Sequence, residues 1–162
     1  MSADQLVTVM ERLLDLHKSL LEKAYQKTTV IEKGDIDALN TLIKEEQKLI
    51  PTINKFEQVR QQVVRNFLTP FHVEEENFTI STCLTYIDDS DKDKLAELRD
   101  ELLEVAQKLQ KQNELNSQLV KQSLQFVQMS LDMFYPKTPE FNYGPPKQSG
   151  LSTSNSLFNR KA

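Results

Sequence analysis

A chain of 162 residues with a net charge of −4 and 27% charged residues is sized for one domain, and its mild acidity gives no electrostatic case for binding nucleic acid or an anionic membrane. Trp is absent, and of three Gly and six Pro, two Gly and four Pro lie beyond Tyr135, so almost nothing before that point breaks a helix. Residues 1–12 mix acidic, polar and apolar types, unlike a signal peptide, and no apolar run approaches about 18 residues, so a cytoplasmic, soluble protein without membrane insertion is expected.

The first helix is predicted over residues 2–32. Leu6, Val9, Met10, Leu13, His17, Leu20, Leu21, Ala24 and Ile31 share one face at 3.6 residues per turn. Lys33-Gly34 ends it, because Gly after a helix terminus accepts the left-handed conformation. Asp35 is placed to cap the next helix, and so short a junction predicts an antiparallel hairpin.

The second helix is predicted over residues 36–68. Leu39, Leu42, Glu46, Leu49, Ile53, Phe56, Arg60, Val63 and Phe67 alternate steps of three and four, the heptad of a coiled-coil-like seam. Glu46 and Arg60 stand fourteen residues apart in that seam, so each is expected to meet a partner on a neighbouring helix and fix register. Contact with a binding partner is the other reading. Pro51 predicts a kink near residues 48–50.

Thr69-Pro70 breaks the second helix, residues 71–77 read as a connector, and a short helix follows over residues 75–87 with Ile80, Leu84 and Ile87 as its apolar side. Cys83, the only cysteine, permits no intramolecular disulfide, fits a reducing compartment, and reads as a buried structural thiol. Residues 88–91 form a turn in which Ser90 or Asp91 can cap the last helix.

That last helix runs for about 45 residues, or roughly 65–70 Å, to Phe134. Leu95, Leu98, Leu102, Val105, Leu109, Val120, Leu124, Val127, Leu131 and Phe134 form one stripe, whose gap is filled by Asn113 and Asn116. After Asn113 a second row appears, Leu115, Leu119, Phe126 and Met133, roughly a third of a turn away. One stripe suffices for packing in a small bundle, so the second row points to a bound partner, or to packing on the short helix or on another copy of the chain. The two Asn specify either register or a partner contact. From Pro136 on, Pro, Gly, Ser, Asn and Lys dominate, and a disordered tail is expected.

The fold class is therefore all-α: an elongated antiparallel helical hairpin, a short helix and a third long helix in a coiled-coil-like three-helix bundle. Residues 1–135 form the bundle and 136–162 a flexible Pro/Ser-rich tail. No Glu-x-x-His pair, phosphate loop or nucleophile elbow occurs. His17 lacks the Lys-Gly that follows a phosphoacceptor His and faces the core, and Glu74-Glu75-Glu76 reads as a solvated charge run. No catalytic residue, metal or cofactor is expected.

Three stretches carry a family resemblance. Residues 32–39, Glu-Lys-Gly-Asp-Ile-Asp-Ala-Leu, followed by Glu46, Leu49-Ile50 and Arg60, resemble the N-terminal pattern of FlgN-type flagellar export chaperones. Asn113-Glu-Leu-Asn116, continuing through Leu119-Val120, Ser123-Leu124 and Phe126-Val127, resembles their C-terminal helix, and Tyr143-Gly144 with Gly150 is similar to their tail. Pro51 and the Ser/Pro-rich end depart from the pattern. The resemblance implies a non-enzymatic cytoplasmic chaperone that binds the C-terminal amphipathic segment of hook–filament junction proteins until type III export. The candidate partner-binding residues, read from the two rows and the seam asparagines, are Asn113, Asn116, Leu119, Val120, Leu124, Phe126, Val127, Leu131, Met133 and Phe134, and the resemblance adds Tyr143 as a contact to the export gate. The alternative is a structural coiled-coil protein that forms a homodimer through the second row.

Overall fold

The computed structural model describes residues 2–134, which form helices α1 (Ser2–Lys33), α2 (Ile36–Leu68), α3 (Ile80–Tyr86) and α4 (Asp89–Phe134). Two 3-10 turns, Thr69–Phe71 and Glu75–Asn77, lie between α2 and α3, and no strand occurs among the described residues. The chain divides between Val120 and Lys121 into two units.

In the first unit, the chemistry of the Gly34-Asp35 pair makes the hairpin. Gly34 adopts a left-handed φ of 72°, and the Gly34 and Asp35 amides donate back to Ile31 (3.1 Å) and Val30 (2.9 Å) carbonyls. These two bonds are the Schellman closure of a helix end. Asp35 then turns to the next helix, its Oδ1 accepting from the Ala38 amide at 3.0 Å. Lys23–Glu45 (3.0 Å), Lys27–Glu46 (2.9 Å) and the Arg12 guanidinium 5.5 Å over Phe56 tie α1 to α2 with residue numbers running in opposite directions, so the hairpin is antiparallel. Pro51 lies inside α2 without dividing it.

α4 pairs with α1 in the other sense. Lys94–Glu11 (2.8 Å), Lys18–Glu101 (3.6 Å) and a polar cluster of Thr28, Gln112 and Asn116 rise together in number, so the two helices are parallel. α2 already ends level with the N-terminus of α1, so the connector leaves α4 to start from that same end. α1, packed on two neighbours, buries two adjacent rows instead of one: Leu6, Val9 and Leu13 beside Val7, Met10 and Leu14.

The core gathers at the connector end. There the residues of α1 meet Val64 and Leu68 of α2, Leu95, Leu98 and Val105 of α4, and Ile80, Cys83, Leu84 and Ile87 from α3 and its end. The short helix therefore plugs the bundle, and each of its large apolar side chains stabilises by about 1.5–3 kcal/mol when taken from water. Cys83 is 0% exposed, as its apolar position predicts.

Three sequence expectations need correction. The helix expected over 75–87 is two pieces, because Thr79 takes an extended backbone and its hydroxyl accepts from the Thr82 amide at 3.1 Å, starting a new helix. α4 begins at Asp89, ahead of the expected Ser90 or Asp91 cap. The Asp91 and Lys92 amides both donate to the Asp88 carbonyl, which leaves Ser90 and Asp91 inside the first turn. Arg60 finds its ion-pair partner on its own helix: it forks onto Glu57 one turn earlier, with Nε 2.8 Å from Oε2. Glu46 does meet the expected cross-helix partner, Lys27.

Candidate partner-binding surface

In the first unit, the two asparagines that interrupt the α4 stripe separate in role. Asn116 is 5% exposed; its Nδ2 donates to the Ala24 carbonyl at 2.9 Å and its Oδ1 accepts from the Thr28 hydroxyl at 2.5 Å. Gln112 Nε2 in turn donates to Thr28 Oγ1. Asn116 is thus spent inside the bundle, and its amide fixes the register of α4 on α1, a correction to its place among the partner contacts. Asn113, one turn earlier, is exposed and lines a shallow depression with His17, Leu109, Gln110 and Ser117. Leu119 is half-buried and engaged, and Val120 and Leu115 are exposed.

The groups with catalytic potential in this unit are committed to packing. His17 is half-buried and its Nδ1 donates to the Leu13 carbonyl at 2.7 Å. Burial pushes the Cys83 thiol up to about 11 from an ordinary value of 9.0, and a thiol held protonated is a poor nucleophile. Glu57 is held below its usual value by the Arg60 guanidinium bonded to it. Glu75 of the acidic run pairs with Arg65 at 2.8 Å in solvent. Among the described residues no three His, Cys, Asp or Glu side chains group as metal ligands, and no helix is long and apolar enough to cross a membrane. A groove of about 600 Å³ between α1 and α2 is lined by Asp4, Thr8, Arg12, Phe56 and Val59 and holds no nucleophile–base pair.

In the second unit, residues 121–134 are helical and carry a run of uncovered large apolar side chains. Leu124, Phe126, Val127, Leu131, Met133 and Phe134 range from 46% exposed at Leu131 to 78% at Met133. Monomeric proteins seldom leave so many neighbouring large apolar groups in water without a partner. Met129 belongs with them at 66% and is missing from the sequence-based set. Its signal was in the spacing, since it stands three residues after Phe126 and four before Met133. Tyr143 and the rest of the expected tail lie outside the described residues.

The described residues therefore define an all-α bundle protein with an exposed apolar helical surface. Sequence comparison gives that class a family. The profile of the family described as FlgN protein matches residues 1–150. The chain is also 35% identical over 164 residues, covering 100% of both sequences, to a Bacillus subtilis (strain 168) protein named Uncharacterized protein YvyG. No solved structure matches the chain. The chain belongs to the FlgN family, and with it to the class of flagellar export chaperones.

Proposed function

We propose that this protein is a cytoplasmic, non-enzymatic chaperone that holds the C-terminal amphipathic segment of hook–filament junction proteins and delivers them for type III export. The observation that carries the reading is the row of uncovered apolar side chains on residues 121–134, above all Phe126, Met133 and Phe134. A client's apolar helical face covers them by helix-against-helix packing. Burying three large side chains contributes roughly 1.5–3 kcal/mol each. Ordering the client takes back about 2–5 kcal/mol, which leaves micromolar to nanomolar binding within reach. A covered client segment is also kept from polymerising early. Asn113, Leu119 and Val120 of the first unit remain candidate contacts, and contact of Tyr143 with the export gate rests on the family likeness.

Self-association is the second reading, favoured by the heptad steps of Leu124, Val127, Leu131 and Phe134. Isothermal titration with the C-terminal segment of a hook–filament junction protein separates the two. Saturable binding to the intact chain, lost in Leu124→Asp with Phe126→Asp at unchanged helicity, is the expected outcome. No heat with the intact chain, together with a stable homodimer by sedimentation, gives the surface to self-association.

A further inference from the structure

Residues 121–134 expose apolar side chains around more of the helix than one neighbouring helix covers. At about 100° per residue, with Phe126 as the origin, Met133 and Met129 lie within about 60° of it on one side. Phe134, Val127, Leu131 and Leu124 follow on the other side from about 80° to about 160°. Ser130 and Ser123 fall between these two rows, Gln122 begins the Phe126 row one turn before Phe126, and Gln128, Lys121, Asp132 and Gln125 share a narrow polar strip. The apolar arc is about 220° wide by this count. A helix packed against one neighbour uses a stripe of about 100°, so a single client helix leaves one of the two rows in water.

Building on the client-binding reading above, we infer that the client supplies two helical segments joined by a turn, which clasp residues 121–134 from both sides. One segment covers Leu124, Val127 and Leu131, and the other covers Phe126, Met129 and Met133. The small side chains of Ser123 and Ser130 let the two segments approach each other along the line between the rows. A second copy of the chain fits less well. The heptad-spaced row holds about two heptads, against the three or four that a coiled coil needs to stand by itself. Of the two charged residues of the segment, Asp132 lies outside the flanking positions and Lys121 flanks the heptad row alone, so no pair of opposite flanking charges sets the register of a self-pair. With a single flanking charge the binding depends only weakly on salt, since screening acts on charge pairs.

The test uses the full chain and two probes from one hook–filament junction protein: a C-terminal peptide long enough for one helix, and a longer C-terminal fragment containing two. The longer fragment binds roughly tenfold or more tighter. Two chaperone variants, Leu124→Asp with Leu131→Asp and Phe126→Asp with Met133→Asp, each weaken the longer fragment, whereas the short peptide responds to one of them alone. Hydroxyl-radical footprinting of the complex with the longer fragment protects Met129 and Met133 together with Leu124 and Leu131. Equal affinity of the two probes, with one row left unprotected, overturns the two-segment clasp and leaves chaperone function standing. Failure of both probes to bind the intact chain removes the client-binding reading itself. A dimer that Phe126→Asp with Met133→Asp dissolves assigns the second row to another copy and also overturns the clasp.

Discussion

Two stretches of α4 use the same residue types to opposite ends. Around Leu95, Leu98 and Val105 the helix has one apolar row and buries it against α1 and the plug formed by α3. Over 121–134 it has two rows, and the large apolar side chains of both are exposed. Apolar periodicity therefore marks a helix face that wants covering, and the number of rows compared with the number of available neighbours tells whether the chain itself supplies the cover. A core face and a docking face differ in that ratio more than in composition.

The sharpest way to break this comparison is to substitute apolar residues in each stretch. Leu95→Ala removes a fully buried side chain and costs about 2–5 kcal/mol, read as a fall in the urea midpoint. Phe126→Asp with Met133→Asp changes exposed groups and stays within about 0.5 kcal/mol of the parent. Equal losses in both experiments make residues 121–134 part of the folding core and end the distinction.

The seam between the first stretch and α1 is tested at its polar cluster. Asn116→Ala removes two buried hydrogen bonds, while the Thr28 hydroxyl keeps the Ala24 carbonyl as an acceptor at 3.1 Å, and costs about 1 kcal/mol. Thr28→Ala in the same background adds less than it does alone, because the two residues share one network. Full additivity argues against Asn116 as the register pin. Gly34→Ala costs about 1 kcal/mol in thermal unfolding, set by the left-handed φ alone, since an added Cβ there meets nothing within 4 Å.

The smallest effect at ordinary pH belongs to Cys83. Its thiol ionises higher in the folded state, about 11, than its ordinary 9.0, because burial disfavours the thiolate, an effect the nearby Arg60 partly opposes. The folded form therefore keeps its full advantage below pH 9.0 and loses it as pH rises through about 11. Urea midpoints at neutral pH and at pH 11 check this, with a smaller alkaline decline in Cys83→Ala. An identical decline in both proteins removes the thiol from the pH dependence.

The sequence is most legible where backbone chemistry is local. Gly34-Asp35 and Thr69-Pro70 punctuate the hairpin, and α2 starts and stops where they dictate. Legibility fails where two local choices compete. Thr79 could continue a helix or cap one, and it caps, because its hydroxyl offers the Thr82 amide a bond. Arg60 occupies a seam position, but Glu57 one turn away on its own helix is the nearer partner. At the candidate surface, periodicity places Asn113 and Asn116 on one stripe and does not separate them. The position of Ala24 and Thr28 on α1 decides which is buried, and that is a tertiary fact. Met129 was readable from its spacing within the second row.

The parallel pairing of α1 and α4 has a consequence for how the chain is made. Contacts within the α1–α2 hairpin form between neighbours along the chain, whereas Thr28 waits for Asn116, 88 residues later. Loop closure over that span is the slow kind of contact, so docking of α4 sets the pace of folding after a fast hairpin. During synthesis α1 is born first and completed last, and its second buried row has no cover until α4 leaves the ribosome. Among the described residues, 121–134 emerge last, after the residues that build the core.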